Sequence, residues 1–184
     1  MKSILVGLVL AAAVVSPSTW RVEQGDVRVI CPMTIGGSFE AKTAALRGSV
    51  ITSANGSPTL DGSFAVDLRT LDTGIGLRNE HLREKYLEVN KGTGFDTATL
   101  SAIDLTGLGP VAQEGKGSFT GLLTVHGVAK TVSGAVDLRR AGGGLRVKAS
   151  FRLDLSDYGI AKPRYLGIGV TNTVQVEVAF DVSR

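Results

Sequence analysis

The chain has 184 residues, a length that fits one domain once a leader is removed. Its formal net charge is +3, with 20 basic and 17 acidic side chains interspersed along the chain, which excludes the concentrated basic surface of a nucleic-acid-binding protein. The single cysteine, Cys31, excludes an internal disulfide, so the fold rests on its core, where Cys31 is predicted to be an unreactive buried thiol.

Residues 1–18 have the layout of a secretory signal peptide. Lys2 gives a positive start, an uninterrupted apolar run covers 4–15, and small and polar residues follow. That run is shorter than the roughly 20 residues that a membrane-spanning helix needs. We therefore expect cleavage after Ser18, a mature domain at 19–184 without stable membrane insertion, and a periplasmic or secreted location. An uncleaved anchor helix is the alternative.

Alternation of apolar and polar residues predicts strands in the first half of the mature chain. The first strand is predicted at 27–31, where Pro32 ends it, and another at 46–50. Asn55-Gly56 is a strong hairpin-turn signal, and it leads into a strand predicted at 60–69.

The one clear helical pattern of the mature chain lies at 77–89. Asn79 is placed to cap its first turn. Leu82, Tyr86 and Val89 recur at helical spacing, so they are predicted to share one face. A helix this short needs a β-structure to lie against, and we expect it over or near the open end of a barrel. The alternative is a surface crossover helix without a ligand role.

The second half repeats the strand pattern more regularly, with turns at His126-Gly127 and 142–144. Strands are predicted at 97–105, 118–125, 131–139, 145–156 and 173–182. Each has one apolar and one polar face, which is typical of half-buried strands.

About eight strands with single apolar faces can bury those faces together in a barrel or in a two-sheet sandwich. Glycines on the apolar faces, at Gly48, Gly62, Gly121 and Gly134, favour a barrel with strongly coiled strands. The predicted fold class is therefore all-β, an antiparallel barrel of about eight strands with one short helix between strands. An outer-membrane barrel, with its apolar face toward lipid, is disfavoured because aromatic girdles are missing.

Three stretches together resemble the YceI-like family of secreted, lipocalin-like proteins. Residues 77–83 (LRNEHLR) are similar to the family's Arg-Asp-x-His-Leu helix start. Residues 121–130 (GLLTVHGVAK) are similar to its Gly-x-Leu-Thr-x-His-Gly hairpin, the most specific of the three. The third stretch is 157–160 (DYGI) with the closing strand at 170–182, so the resemblance spans most of the mature chain.

The resemblance implies an extended lipocalin-like barrel with an apolar tunnel, a periplasmic location, and binding of a polyisoprenoid or other long lipid. This chain departs from the family pattern in the N-terminal strand, where 24–31 carries none of the family's histidines. Asn79 stands where the family has Asp, and Phe95-Asp96-Thr97 matches the family's Phe-x-Ser strand only loosely. These departures bear on which ligand is bound.

The apolar faces are the predicted binding surface, because burial alone, at about 25 cal/mol per Å², can hold a long apolar ligand. The predicted lining is Phe39, Phe64, Val66, Leu68, Leu82, Tyr86, Phe119, Leu123, Val136, Val147, Phe151, Val176 and Phe180. The expected partner is a lipid or isoprenoid, with a bound isoprenoid lipid or quinone in place of a cofactor. A filled core without a cavity is the alternative. His81 and Arg164 are the candidate head-group contacts, although a structural role for His81 and a solvated loop around Arg164 are the favoured interpretations.

No catalytic or metal site is predicted. His81 and His126 are the only histidines, and neither has further ligands at metal spacing. No Gly-x-Ser-x-Gly elbow occurs, and a structural hydrogen bond in its turn is the expected role of His126.

The predicted function is therefore to hold a long apolar ligand in the barrel. A ligand-free periplasmic stress or adaptor protein, with a filled core and protein contacts, is the main alternative. An enzyme with a polar cluster around His81 is the third. The oligomeric state is left open, a homodimer included.

Overall fold

The computed structural model describes residues 17–52, 57–108, 114–165 and 168–184. The signal peptide predicted at 1–18 falls almost entirely outside these ranges, as does the Asn55-Gly56 turn. At Ser18 the described chain is already in a strand, and the cleavage site stays a prediction. Within the described ranges, none of the helices is both long and apolar enough to cross a membrane.

The described chain consists mainly of strands. They are β1 (Ser18–Pro32), β2 (Ser38–Thr43), β3 (Leu46–Thr52), β4 (Thr59–Asp67), β5 (Thr97–Thr106), β6 (Gly115–Val125), β7 (Val128–Ala141), β8 (Gly144–Asp154), β9 (Arg164–Tyr165), β10 (Ile168–Gly169) and β11 (Thr173–Ser183). Helix α1 (Gly76–His81) lies between β4 and β5, followed by a π-helical turn at Leu82–Tyr86 and a 3-10 turn at Val89–Lys91. Two further 3-10 turns lie at Leu68–Thr70 and Leu155–Tyr158.

Nine strands form one antiparallel sheet in the order β11-β8-β7-β6-β5-β4-β3-β1-β2, and β11 also pairs with β1, which closes it. β2 and β3 share one position, because β3 pairs with the first part of β1 (Ser18↔Thr52) and β2 with its last part (Pro32↔Ser38). The result is a closed barrel of 8 antiparallel strands, and the predicted fold class is confirmed. Closure through β1 and β11 removes the two long edges that an open sheet would expose.

The alternating apolar and polar residues of the strands lie on the inner and outer faces of the barrel. On β7, Val132, Val136 and Leu138 are buried, whereas the residues between them are exposed or half-buried. Charged pairs lie on the outer face, as where Arg146 of β8 donates to Asp181 of β11 at 2.7 Å. The apolar faces therefore meet in the centre of the barrel and the polar faces meet solvent, which is the arrangement that alternation favours.

Two of the glycines predicted to shape the barrel lie on the β3–β4 pair. Gly48 has φ +147° and Gly62 has φ +125°, conformations that side chains rarely adopt. A Cβ atom at Gly48 would lie 2.3 Å from the carbonyl oxygen of Ser63, and one at Gly62 would lie 2.2 Å from that of Ser49. The two strands can bend and approach each other here only because neither position carries a side chain.

The first strand is longer than predicted, beginning at Ser18 and not near Val27. Its pairing with β11 shifts register between Val22 and Gln24, and this irregularity interrupts the simple alternation on which the prediction depended. The short β2 was not predicted either, although Phe39 and Ala41 alternate with polar residues in it; it has only 6 residues and pairs with the last part of β1 after the Gly36-Gly37 bend.

The helix prediction at 77–89 is wrong in its extent. The α-helix ends at His81, a π-helical turn follows, and the backbone of Glu88 is left-handed with φ 51°. The π turn closes with Leu87 N–H donating to the Leu82 carbonyl at 2.9 Å, one residue wider than an α-turn. Val89 is buried in a separate 3-10 turn and does not continue the face of Leu82 and Tyr86.

Asn79, predicted to cap the first turn of the helix, is not its N-cap residue. The helix begins at Gly76, and Asn79 lies within it. Its Oδ1 accepts from the backbone N–H of Thr73 at 2.8 Å and from the Thr73 hydroxyl at 2.7 Å, while its Nδ2 donates to Asp72 at 2.6 Å. The amide thus fastens the loop before the helix to the helix itself.

The barrel has two different ends. The helix end holds α1, the π turn, the β6–β7 turn and the segment between β8 and β11. The hairpin end holds the first residues of β1, the β7–β8 turn and the last residues of β11.

Candidate ligand-binding cavity

A cavity of about 280 Å³ lies inside the barrel, close to the lower limit of about 300–1,000 Å³ for small-molecule sites. Its wall runs from one end of the barrel to the other. Trp20 and Val182 belong to it at the hairpin end, and Leu82, Tyr86 and Leu87 at the helix end. The helix segment therefore lies over one end of the cavity, as the sequence led us to expect.

Every residue predicted as lining lies on the cavity wall. These are Phe39, Phe64, Val66, Leu68, Leu82, Tyr86, Phe119, Leu123, Val136, Val147, Phe151, Val176 and Phe180. Aromatic rings pack edge to face within the wall, with ring centroids of Phe119 and Phe151 5.9 Å apart. Whether these side chains hold a ligand stays a prediction.

The sequence missed wall residues at both ends. Trp20 was not predicted because the bulge between Val22 and Gln24 interrupts the alternation of β1, so the predicted strand begins only at 27. Ile160, Pro163 and Val170 come from the irregular segment between β8 and β11, which offers no period to detect. The alternation in β1 from Trp20 to Val22 was the one signal that could have located part of this set.

The wall formed by the described residues contains no charged side chain. Its polar groups are the indole of Trp20, the thiol of Cys31, the hydroxyl of Thr52 and the phenol of Tyr86. Burying an unpaired charge in such surroundings is strongly unfavourable. The chemistry of the wall therefore suits an uncharged, mostly hydrocarbon molecule, at least over the part that lies inside.

Cys31 lies half-buried on this wall. Burial raises the pKa of its thiol to about 11, and the positive charge of Arg78 offsets only part of that rise. The thiol is therefore protonated at neutral pH and a poor nucleophile, as its sequence context predicted.

The structure places neither candidate head-group residue on the wall. His81 is exposed at the last position of α1, and Arg164 is exposed on β9. Arg78, the second residue of the 77–83 stretch, is a cation that does approach the wall at this end, with its guanidinium 4.5 Å from the ring centroid of Phe39. Sequence periodicity could not show this, because the contact joins the helix to β2 across the rim.

The YceI-like domain model matches residues 16–182, which is most of the chain. The chain belongs to the YceI-like family. Among curated proteins, it is 33% identical over 105 residues to the UPF0312 protein VVA0736 of Vibrio vulnificus (strain YJ016), covering 53% of this chain and 52% of the relative. The chain thus spans about half the length of the curated relatives it matches.

Solved structures share the fold of this YceI-like chain. A polyisoprenoid binding domain from Saccharophagus degradans matches with TM-score 0.66 and 15% identity, over 89% of this chain and 97% of that one. BcnA from Burkholderia cenocepacia matches with TM-score 0.68 and 16% identity, over 85% and 95%. A YceI protein from Campylobacter jejuni matches with TM-score 0.52 and 12% identity, over 98% and 91%. At these identities the likeness is one of fold.

The hairpin motif of the YceI-like domain forms a structural junction at the helix end. His126 lies in the β6–β7 turn with φ 53°, and its Nδ1 lies 2.9 Å from the Tyr158 carbonyl oxygen. Its Nε2 lies 2.9 Å from Glu88 Oε2, and its ring packs edge to face on Phe95, with the two ring centroids 4.8 Å apart. The structural hydrogen bond predicted for His126 is confirmed. Hydrogen bonds from Lys91 and then from His126 lower the pKa of Glu88, so its carboxylate stays ionised at neutral pH.

Across the described parts of this YceI-like domain, no three His, Cys, Asp or Glu side chains come together as metal ligands would. His81 and His126 also have different surroundings, since one is exposed and the other is held by Tyr158 and Glu88.

Proposed function

We propose that this YceI-like protein holds a long apolar molecule, such as an isoprenoid lipid or an isoprenoid quinone, inside its barrel, as a carrier or store outside the cytoplasm. The observation that carries the proposal is the cavity, which runs between the two ends of the barrel and is lined by apolar side chains of nearly every strand. Removing that length of hydrocarbon from water is favourable by about 25 cal/mol per Å², less the cost of ordering.

The volume also bears on the kind of occupant. At about 280 Å³ the cavity suits a slender molecule, and one longer than the cavity would extend past one end of the barrel or displace side chains of the wall. The polyisoprenoid binding domain of Saccharophagus degradans, which shares the fold, supports this choice of ligand class. The predicted leader at 1–18 supports the location.

The decisive experiment is mass spectrometry of an organic extract of the mature protein, purified from its own periplasm without detergent. We expect a stoichiometric polyprenyl species. Ala149 faces the cavity, and its neighbour across the β7–β8 pair, Val136, does too, whereas Ala135 is exposed on the outside. Ala149→Phe should therefore reduce the amount of extracted lipid, and Ala135→Phe should leave it unchanged.

A clean extract, repeated after the protein has been offered isoprenoid quinones and polyprenyl phosphates, would contradict the carrier proposal. The adaptor function would then be preferred. One observation favours it, namely the exposed large apolar side chains at the helix end. They are Ile35, Ile75, Leu77 and Ile168, which are 66%, 49%, 62% and 42% exposed. An adaptor does not need a cavity, however, which is why we place it second.

We propose binding and not catalysis as the activity. An enzyme at this site was expected to gather polar groups around His81, whereas His81 is exposed and the histidine with polar partners is His126, which joins the β6–β7 turn to Glu88 and Tyr158.

A further inference from the structure

Two loops at the helix end of the barrel carry exposed isoleucines and are joined to each other. Ile35 is 66% exposed in the β1–β2 turn, and Ile168 is 42% exposed on β10. The backbone N–H of Thr34 donates to the Gly169 carbonyl at 2.7 Å, and the Gly169 N–H donates to the Thr34 hydroxyl at 3.0 Å. The antiparallel bridge one step further into the barrel has the same register. Ile35 and Ile168, each one residue beyond the Thr34–Gly169 pair, therefore leave the barrel side by side, and we call them the isoleucine tip.

The charged side chains in these two loops are all positive. Lys162 and Arg164 precede Ile168 in its loop, and both are exposed. None of the described carboxylates forms an ion pair with either of them. Segments 31–39 and 158–173, which contain the two loops, have no Asp or Glu, and acidic side chains of this end lie on other segments, as Glu80 and Glu84 do on the helix segment. The charge beside the isoleucine tip is therefore complementary to an anionic surface.

The same two loops border the cavity. Pro163 and Val170 lie on the cavity wall on either side of Ile168, and Cys31 and Phe39 lie on it before and after the β1–β2 turn. The isoleucine tip is thus part of the rim at the helix end, where a long apolar molecule would enter or leave the barrel.

The shape of the isoleucine tip suits a lipid bilayer better than a protein. Its side chains stand on protruding turns and not in a groove. A stable protein interface buries about 1,200–2,000 Å², of which two isoleucines supply a minor part. A bilayer, in contrast, takes up a protruding apolar side chain of any shape, and its anionic head groups attract the cations next to it.

We propose that the helix end docks on a bilayer surface that contains anionic phospholipid. The side chains of Ile35 and Ile168 enter the apolar part of the interface, and Lys162 and Arg164 lie beside the lipid phosphates. In this orientation the rim of the cavity faces the membrane and the hairpin end points away from it. This inference rests on the proposed function, because it identifies the surface with which the same cavity exchanges its cargo.

Co-sedimentation with vesicles tests the apolar half of the proposal. The mature protein is mixed with phosphatidylcholine vesicles that contain about one third phosphatidylglycerol, and we expect Ile168→Ser to weaken binding about tenfold, as the loss of one buried isoleucine predicts. Ile51→Ser is the matched control, because Ile51 is 43% exposed but pairs with Thr19 near the hairpin end. It should bind as the unchanged protein does. Both side chains are exposed, so neither substitution opens a hole in the core.

The electrostatic half is tested with the same vesicles. We expect Arg164→Gln to weaken binding about fivefold, and vesicles of phosphatidylcholine alone to bind the unchanged protein at least about tenfold more weakly than the mixed ones. Arg140→Gln is the control, since Arg140 is exposed at the hairpin end and should not contact the lipid.

A second measurement uses the unsubstituted protein with ¹³C-labelled isoleucine methyl groups. Nanodiscs of the mixed composition replace the vesicles, and one of their lipids carries gadolinium at its head group, which broadens the signals of nearby methyl groups. We expect the signals of Ile35 and Ile168 to broaden and that of Ile51 to stay sharp. The isoleucine-to-serine variants identify these signals.

Three outcomes would overturn the inference. Equal weakening by Ile168→Ser and Ile51→Ser would show apolar association without a defined docking face. Equal binding to neutral and mixed vesicles would remove the anionic surface from the proposal. Absence of binding to either kind of vesicle would leave the isoleucine tip to a protein partner, and the proposed function would still stand if the organic extract contained a lipid. Binding to mixed vesicles by a protein whose extract is clean would uphold the docking surface while the proposed function fails.

Discussion

His126 joins segments that are far apart in the chain through one imidazole ring. Its two nitrogens face a carbonyl oxygen of Tyr158 and a carboxylate oxygen of Glu88, each at 2.9 Å. The ring is nearly buried, with 10% of the side chain exposed, so these hydrogen bonds are largely protected from water. His126 therefore helps to fix the π-turn region and the 3-10 turn after β8 to the rim of the barrel.

We expect His126→Ala to lower the free energy of unfolding by about 1–3 kcal/mol, because it removes a nearly buried ring that contacts the Tyr158 carbonyl and the Glu88 carboxylate. The measurement is urea unfolding at neutral pH. His81→Ala is the matched control, since His81 is exposed and its loss should change stability by less than about 0.5 kcal/mol. Equal effects of the two substitutions would show that the His126 junction contributes no special stability.

The reactivity of the Cys31 thiol should depend on pH differently in the native and the unfolded protein. Its folded pKa of about 11 exceeds the reference value of 9.0, so at any pH below 9 the native protein has less thiolate than the unfolded chain. At pH 8 we expect iodoacetamide to alkylate native Cys31 about a hundredfold more slowly than the urea-unfolded protein, because two pKa units reduce the thiolate fraction by that factor. The native rate should keep rising beyond pH 9. A native rate that levels off near pH 9 would mean that the thiol is not desolvated.

At the scale of elements, the segment between β4 and β5 was the hardest to predict and the most informative. Its apolar residues have helical spacing, which correctly indicated that Leu82 and Tyr86 lie on one side. The spacing could not reveal the π turn, because an i→i+5 closure depends on what Leu87 packs against. Arg83 donates to the carbonyl of Leu71 at 2.9 Å and attaches this segment to the rim.

Asn79 is the side chain that we expect to hold the start of this segment in place. Asn79→Ala removes three hydrogen bonds to Asp72 and Thr73, and it should increase amide hydrogen exchange across 72–87 without unfolding the barrel. Hydrogen-exchange mass spectrometry resolves that region from the strands. Glu80→Ala, one position further on the exposed side of the helix, is the control and should leave the exchange unchanged. Faster exchange throughout the strands would contradict a local role.

At the scale of the whole molecule, closure of the sheet makes the cavity a property of all the strands together. The β1–β11 pairing joins the beginning and the end of the described chain, so no subset of strands encloses the space. A ligand inside contacts several strands at once and should stabilise the barrel as one unit, by about 2.7 kcal/mol when its free concentration is a hundred times Kd.

We therefore expect farnesyl acetate to raise the Tm of ligand-free protein in a single transition, with a smaller rise for Ala149→Phe. That side chain would occupy space beside Val136 and Val178, whereas Ala135→Phe points outward and should behave like the unchanged protein. Thermal unfolding followed by circular dichroism makes the comparison. An identical rise in Tm for Ala149→Phe would place the ligand outside the cavity.

The amino-acid sequence by itself determined the fold class and which faces of the regular strands form the wall. Period-two alternation in β6, β7, β8 and β11 requires one buried face per strand, whichever partners those strands find. The residues on those faces, from Phe119 to Phe180, therefore had to point inward together. The hairpin around His126 was recognisable because the turn residues His126-Gly127 and the alternation on both sides of them are local features of the sequence.

Tertiary structure alone decided the features that depend on distant partners. It placed Trp20 on the wall, beyond a bulge that disturbs β1, and it stopped α1 at His81 in favour of a π turn. It also brought Arg78, and not Arg164, to the rim beside Phe39. The physical reason is common to all three. Register shifts, turn closures and ion–ring contacts depend on which surface a residue meets, and local periodicity contains no information about a partner dozens of residues away.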